Sequence, residues 1–510
     1  MSKIKVMFIN PNPRTMSLVS PTVSIFYSIF RANSIEMMYF DTTFYDVSDK
    51  YVNPDQCRQA ILGVKNFSRN LTSDDMSKGD MNQLLADFRE LVSTWEPDVI
   101  MASVMESTFL FTLEILGSVR DLGIPHVLGG VFPTFAPELS IKYDEVDILC
   151  IGEGEKIIVP LCQKLKSCES LEGIPNLWVK NKDQSISKAK LTAPVDLNKN
   201  PSFDASIFDQ QRFYRAMAGN IYKMFPVETH RGCSNKCTFC NSPLQSEKYK
   251  KETGKKYLRK KSIANVIKDV LYFSERCQAE YLFFWADNFL LYSRDEIDEF
   301  CRAYSEIILP FYVQTYPTTI DEYKIIKLCQ VGLHRVGMGV EHGNEKFRRE
   351  IVKRNYSNKS AIDGAEILKK HNVQYSCNNI VGFPTETPEL HMDTVRLNRL
   401  LQPNTASCSI FTPFYGTPLR ELSLKLGYLK DPDILAPTND ESSILDMPQF
   451  TKDQIAGKSR TFNLYLKFPE NRWDQIEQAE QMTPEGERIW LELKEEYAEK
   501  YENMSTADSR

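Results

Sequence analysis

Three cysteines lie close together in the run Thr229-His230-Arg231-Gly232-Cys233-Ser234-Asn235-Lys236-Cys237-Thr238-Phe239-Cys240. Their spacing is C-x3-C-x2-C, and Gly232 with the polar neighbours marks a loop that leaves a strand. Three thiolates on one tight loop can hold three irons of a cubane cluster and leave the fourth iron open to an outside ligand. Zinc is the competing occupant, but structural zinc takes four ligands, usually as paired C-x2-C units. The chain has no second C-x2-C, and His230 precedes Cys233 too closely in a strand to be a natural fourth arm. Three packed core thiols would be a third explanation, which the loop composition disfavours.

The chain has twelve cysteines, and the other nine are scattered: Cys57, Cys150, Cys162, Cys168, Cys277, Cys301, Cys329, Cys377 and Cys408. The start, Met1-Ser2-Lys3-Ile4-Lys5-Val6, enters a strand-like run with no signal-peptide pattern. The longest apolar run, 281–292, is interrupted by Asp287 and too short to span a bilayer. A cytoplasmic location is therefore expected, where thiols stay reduced. The nine then read as small buried hydrophobes rather than a disulfide framework. Hydrophobic residues at 42% and charged residues at 25% describe a globular chain and exclude wholesale disorder. Sixty-two basic against sixty-eight acidic residues leave a net charge of −6, which argues against general binding of duplex nucleic acid.

The elements that must position the triplet follow from the apolar pattern. In the first third, strand-like runs at 5–10, 36–41, 99–104, 127–130 and 148–152 alternate with helical periodicity at 81–95, 108–122 and 155–165. Such alternation predicts a doubly wound parallel sheet, with ligands at the carboxyl ends of its strands. The loops expected there are Asn10-Pro11-Asn12, Met105-Glu106-Ser107, Gly129-Gly130-Val131 and Gly152-Glu153-Gly154, whose glycines allow close backbone approach. A second series of strands is predicted at 227–230, 281–286, 311–316, 335–341, 374–381 and 407–411, with helices between them. The expected fold class is α/β. A Rossmann-like domain over 1–175 leads through a connector with a hairpin (176–224) into a partial (βα)6 barrel (225–425). A helical C-terminal region (426–510) follows.

With the cysteine loop at the end of the first barrel strand and Phe239 before its last cysteine, the sequence resembles the radical S-adenosylmethionine (SAM) superfamily. The resemblance implies a 4Fe-4S cluster held by Cys233, Cys237 and Cys240. It also implies SAM on the open iron, cleaved reductively to a 5′-deoxyadenosyl radical. Further stretches match the superfamily's barrel in order: Phe284-Trp285-Ala286-Asp287, Gly339-Val340-Glu341-His342-Gly343, Asn379-Ile380-Val381-Gly382-Phe383-Pro384 and Phe414-Tyr415-Gly416-Thr417-Pro418. By that match Phe239, Asp287, Glu341, Asn379 and Gly382 would contact SAM. His342 and His230 are further candidates as acid–base groups, and Tyr312, Tyr316 and Tyr415 as hydrogen donors.

The Gly129–Thr134 and Gly152–Glu155 loops are similar to those of the subgroup with an N-terminal cobalamin-binding domain. That resemblance implies cobalamin at Met105, Glu106, Ser107, Gly129, Gly130, Val131, Gly152, Glu153 and Gly154. It further implies a methyltransferase acting on an unactivated carbon of a small molecule or natural product, fed by a reductant such as flavodoxin or ferredoxin. One departure is that the D-x-H-x-x-G motif, whose histidine ligates cobalt, is missing. A radical SAM cyclase or rearrangement enzyme is the alternative, and a degenerate iron–sulfur binding protein is the non-enzymatic one. A tRNA methylthiotransferase would use the basic run 248–261. It would also need cluster-spaced cysteines in the N-terminal domain, and those are absent.

Overall fold

The computed structural model of the protein describes residues 3–12, 19–47, 78–218, 220–431, 434 and 442–502. Pro13 and Cys57 lie outside the described residues. Strand β1 (Lys5–Asn10) buries Val6, Met7, Phe8 and Ile9 on both faces, as a parallel strand covered by helices on two sides must. With β2 (Glu36–Asp41), β3 (Val99–Ser103), β4 (His126–Gly129) and β5 (Ile148–Cys150) it forms a parallel sheet in the order β2-β1-β3-β4-β5. The order reverses between β1 and β3, and the crevice beyond their carboxyl ends is where such sheets take ligands. The hairpin β6 (Leu177–Lys180) and β7 (Ile186–Lys188) continues this sheet, antiparallel, from the edge of β5.

The second sheet opens with the antiparallel pair β8 (Tyr214–Met217) and β9 (Asn220–Glu228). Strand β9 begins at Asn220, well before the apolar signal at Val227, because pairing with β8 rather than hydrophobic pattern holds its first half. Immediately after it, β10 (His230–Arg231) pairs with β11 (Arg259–Lys260). The remaining strands are β12 (Tyr281–Trp285), β13 (Phe311–Thr315), β14 (Leu333–Glu341), β15 (Gln374–Val381) and β16 (Thr405–Ile410). All run parallel in the order β9-β12-β13-β14-β15-β16, a half-barrel of six strands. Outward residues such as Phe284, Val313, Val336, Cys377 and Cys408 join the main core with the covering helices. Inward residues Met224, Tyr281 and Tyr312 form a separate aromatic cluster in the lumen.

The C-terminal helices are part of the barrel wall. Helix Lys452–Lys467 starts with a Thr451 capping box and buries Ile455, Phe462, Leu464 and Tyr465. Its Ser459 hydroxyl donates to the Cys408 carbonyl at 2.8 Å, tying it to β16. Arg399, on helix Pro388–Leu401, donates to the carbonyls of Tyr465 and Phe468 at 2.6 and 2.8 Å, capping the same helix's open end. Among the described residues no helix is long and apolar enough to cross a membrane.

Candidate active site

Strand β9 delivers the chain to the cysteine loop at the carboxyl end of the half-barrel. Cys240 caps helix Asn241–Thr253, its Sγ accepting the Ser242 N–H at 3.4 Å. The Cys233 Sγ accepts the Asn235 N–H at 3.5 Å, and the Cys237 Sγ accepts from the Arg354 guanidinium at 3.4 Å. Burial pushes all three thiols up, Cys240 to about 12; Cys233 and Cys240 are raised further by neighbouring thiols, and Arg354 partly offsets the rise at Cys237. Thiolates here therefore need positive charge beside them, which bound iron supplies. The loop is pinned from two sides. Thr238 donates its N–H to Val352 O at 3.1 Å and its hydroxyl to Ile351 O at 2.6 Å. Its own carbonyl accepts from Leu419 N–H at 3.2 Å.

Other strand ends converge on this loop. Asp287, beyond β12, accepts from the Ser242 hydroxyl at 2.9 Å, and desolvation raises its carboxyl although the residue is exposed. Glu341 ends β14 with φ +66 at a register shift against β15. Burial raises its carboxyl, partly offset by Arg354 at 3.6 Å. Arg354 also donates to Gly339 O at 2.6 Å, so one guanidinium serves the cluster loop and the Glu341 strand together. Phe239 is half-buried and packs 6.1 Å from Phe383, the neighbour of Gly382.

The Asn379 side chain does not join the site. It faces outward into a reciprocal amide pair with Asn398, at 2.8 and 3.2 Å. The Gly382 N–H is taken by Glu386 at 2.6 Å. His342 is fully buried against Glu386, and His230 packs on Tyr292. Tyr312 fills the lumen beneath Gly337, Tyr316 lies under Arg354, and Tyr415 packs on the N-terminal domain. Sequence reasoning overlooked Arg354, Ser242 and Glu386, whose roles arise from tertiary contact.

The N-terminal domain presents its strand ends to the same region. Glu106 is buried and accepts the Tyr415 N–H at 3.0 Å, joining the loop after β3 to the loop after β16. Glu153 is buried too, paired with Arg231 and Arg259 of the barrel domain at 3.1 and 2.6 Å. Ser107, Gly129 and Gly130 are half-buried, and Gly152 and Gly154 pack against Tyr249 and Phe26. Met105 and Val131 are 58% and 49% exposed on this face, while Trp285 and Phe414 on the barrel are 45% and 38% exposed.

Residues 227–397 match the radical SAM superfamily, and residues 63–161 match the B12 binding domain. The chain is a radical SAM enzyme with a B12-binding domain. An uncharacterized methyltransferase from Pyrococcus horikoshii is 25% identical over 389 residues, 75% of this chain and 81% of that one. A tRNA-2-methylthio-N(6)-dimethylallyladenosine synthase from Sulfurihydrogenibium is 26% identical over 271 residues, 50% of this chain and 56% of the other. The fold is similar to that of the radical SAM methyltransferase TsrM from Kitasatospora setae, with a TM-score of 0.63 and 15% identity over 92% of this chain and 84% of TsrM. It is also similar to the cobalamin-dependent SAM radical enzyme OxsB, with a TM-score of 0.61 and 14% identity over 99% of this chain and 72% of OxsB.

These domains take a 4Fe-4S cluster, SAM and cobalamin. The residues present fit the cluster: three neighbouring thiols each receive an N–H donor, and Arg354 adds positive charge. Among the described residues no three His, Cys, Asp or Glu side chains are placed to hold a single metal ion. For the corrinoid, the exposed Met105 and Val131 at the strand ends offer apolar surface to a flat ring. No histidine accompanies them. His126 stands at the opposite end of β4 with Nδ1 on the Glu145 carbonyl at 2.9 Å.

Proposed function

We propose that the protein is a cobalamin-dependent radical SAM methyltransferase that acts in the cytoplasm on an unactivated carbon of a small molecule. The observation that carries this reading is the apposition of the two domains. The cysteine loop, Asp287 and Glu341 lie at the carboxyl ends of the half-barrel, and the Rossmann-like loops dock onto the same region through Glu106 and Glu153. When bound, the cluster supplies one electron for opening a carbon–sulfur bond of SAM, and the corrinoid supplies a transferable methyl group.

The chain's own residues do the rest. Cys233, Cys237 and Cys240 hold three irons. Asp287 and Glu341 are placed to orient SAM's amino and ribose groups, with Phe239 beside the Gly382 turn and backbone rather than the Asn379 side chain facing the adenine. Met105, Glu106, Ser107, Gly129, Gly130, Val131, Gly152, Glu153 and Gly154 form the wall facing the corrinoid, Met105 and Val131 by contact. Trp285 and Phe414 offer an apolar surface to substrate, and a flavodoxin- or ferredoxin-like protein delivers the electron.

The test is anaerobic reconstitution with iron, sulfide and a corrinoid, followed by reductant and methyl-deuterated SAM. We expect 5′-deoxyadenosine, S-adenosylhomocysteine and a corrinoid carrying the deuterated methyl group. The Cys233→Ala, Cys237→Ala and Cys240→Ala variants should each lose cluster iron and 5′-deoxyadenosine together. Full iron in those variants would refute the cluster assignment, and absence of bound corrinoid would refute the methyltransferase.

A further inference from the structure

A buried network of charged side chains lies between the two domains. Glu153 Oε1 meets Arg259 at 2.6 Å and Arg231 at 3.1 Å, and its Oε2 accepts from Arg259 at 3.0 Å and from the Val195 N–H at 2.7 Å. Arg231 also meets Glu155 at 2.5 Å and Glu228 at 2.6 Å. Three carboxylates thus surround two guanidinium groups, all largely shielded from water. The two arginines are cross-strand partners in the β10–β11 pair. Strand β10 leads through a bend at Gly232 to Cys233.

The fit between the loop and the barrel domain is close. The Glu153 N–H donates to the Tyr249 hydroxyl at 2.8 Å, and Tyr249 stands on the helix that Cys240 caps. A Cβ on Gly152, whose φ is +76, would lie 2.4 Å from that hydroxyl oxygen. Only glycine lets the loop approach so near. The loop therefore touches the chain on both sides of the cysteine triplet: Arg231 before it and Tyr249 after it.

A buried charge network is a poor source of net stability, because desolvating the ions offsets their attraction. Its better-attested use is to fix register, since an approach that leaves one of these charges unpaired is heavily penalised. We infer that Glu153 and Glu155 are positioning residues: they clamp Arg231 and Arg259 and so set the cysteine loop in one place against the B12-binding domain. Glu153 then serves the iron site from the other domain and does not contact the corrinoid, although it lies on a strand-end loop. This rests on the proposed cluster and corrinoid, and it revises the role given to one residue of the corrinoid wall.

The experiment uses the full chain loaded with cluster and hydroxocobalamin, comparing Tyr249→Phe, Glu155→Gln and Glu153→Gln with the native protein. Four quantities are read: iron release to a chelator, the electron paramagnetic resonance of the reduced cluster, corrinoid retained after gel filtration, and melting temperature. Glu155→Gln and Glu153→Gln should release iron faster, by about tenfold in Glu153→Gln, with altered cluster resonance. Corrinoid retention should stay native. Tyr249→Phe should change iron release in the same direction and least. Corrinoid loss with native iron release in Glu153→Gln would overturn the clamp and return that residue to the corrinoid site. Native iron release and resonance in Glu155→Gln and Tyr249→Phe would overturn it as well, even if Glu153→Gln failed to fold. A uniform fall in melting temperature with unchanged resonance would show a merely structural role. A native protein that takes up no iron would instead sink the proposed function itself.

Discussion

Arg354 ties the cysteine loop to the end of β14. It donates to the Cys237 Sγ and the Gly339 carbonyl, faces Glu341 at 3.6 Å and stacks 4.4 Å over Tyr316. Arg354→Met would leave the buried Glu341 carboxylate without its countercharge, a loss of about 3–5 kcal/mol in stability. It would also remove positive charge beside a cluster thiolate, so the cluster should become harder to reduce. Arg354→Lys should restore the potential in part but lack the planar fork that reaches Gly339. Redox titration followed by paramagnetic resonance, with denaturant unfolding alongside, checks both effects. An unchanged potential in Arg354→Met would remove the residue from the site. The cysteine triplet was legible in the sequence because its chemistry is local. Arg354 was not, because it stands 117 residues from Cys237 and no spacing encodes that contact. Asn379 belongs to a run whose resemblance implies contact with adenine through backbone, and the direction of its side chain was legible as well. The half-buried residues on β15 are Gln374, Ser376, Asn378 and Ile380, so the period of two already turned the Asn379 side chain away from the lumen.

At the scale of elements, the ends of β14 and β15 are stapled together by buried polar groups. Glu386 accepts the N–H groups of Gly382 and Phe383 at 2.6 and 2.9 Å, and His342 meets its other oxygen through Nε2 at 3.1 Å. The His342 Nδ1 accepts the Asn344 N–H at 3.1 Å, which leaves Nε2 as the donor. His342→Gln, which can keep that donor, should hold SAM affinity near native. His342→Leu leaves Glu386 half-satisfied and should weaken SAM binding about tenfold, with iron content intact. Equal affinity in the two variants, measured by equilibrium dialysis, would dissolve the staple.

His391 adds a pH dependence to the same region. Its ring is fully buried with both nitrogens unpartnered among the described residues. Burial, then Lys458 and His342, hold its pKa well below the ordinary value. Glu386 lies 3.8 Å away, and Lys458 is itself paired with Glu480 at 2.7 Å. The unfolded chain takes up a proton at about pH 6.5 that the folded chain refuses. This contribution is therefore complete above that pH and lost progressively as pH falls below it. His391→Leu should flatten the fall in melting temperature between about pH 7.5 and 5.5, leaving a slope from the buried His126 and His230, which are also depressed. A slope identical to native would rule His391 out. None of this polar packing was visible in the sequence, where helix Pro388–Leu401 showed only its apolar period.

For the whole molecule, the alternation of short apolar runs and helices was enough to read two α/β sheets in series, because burial imposes that period on every strand. The contacts that dock one domain on the other were not readable, since they depend on a few side chains distant in the chain. One such contact is the Glu153 network. Another is the loop after β16, where the Tyr415 N–H reaches Glu106, the Tyr415 ring lies 5.4 Å from Phe132, and Arg420 stacks 3.6 Å over that ring. Gly416 makes this contact possible: its φ is +80, and a Cβ there would stand 2.9 Å from the Phe135 ring. Gly416→Val would add a left-handed backbone cost of about 1–2 kcal/mol. Overpacking against Phe135 would add about 1–3 kcal/mol more, both focused on the docking loop rather than on either core. The variant should keep its cluster and corrinoid, yet lose hydrogen-exchange protection in residues 131–135 and 413–417. Reductive SAM cleavage to 5′-deoxyadenosine draws only on the barrel and should persist. Methyl transfer to the corrinoid requires the two domains in register, so S-adenosylhomocysteine formation should fall. A parallel fall in both products, or in neither, would mean that docking at this loop does not couple the two sites.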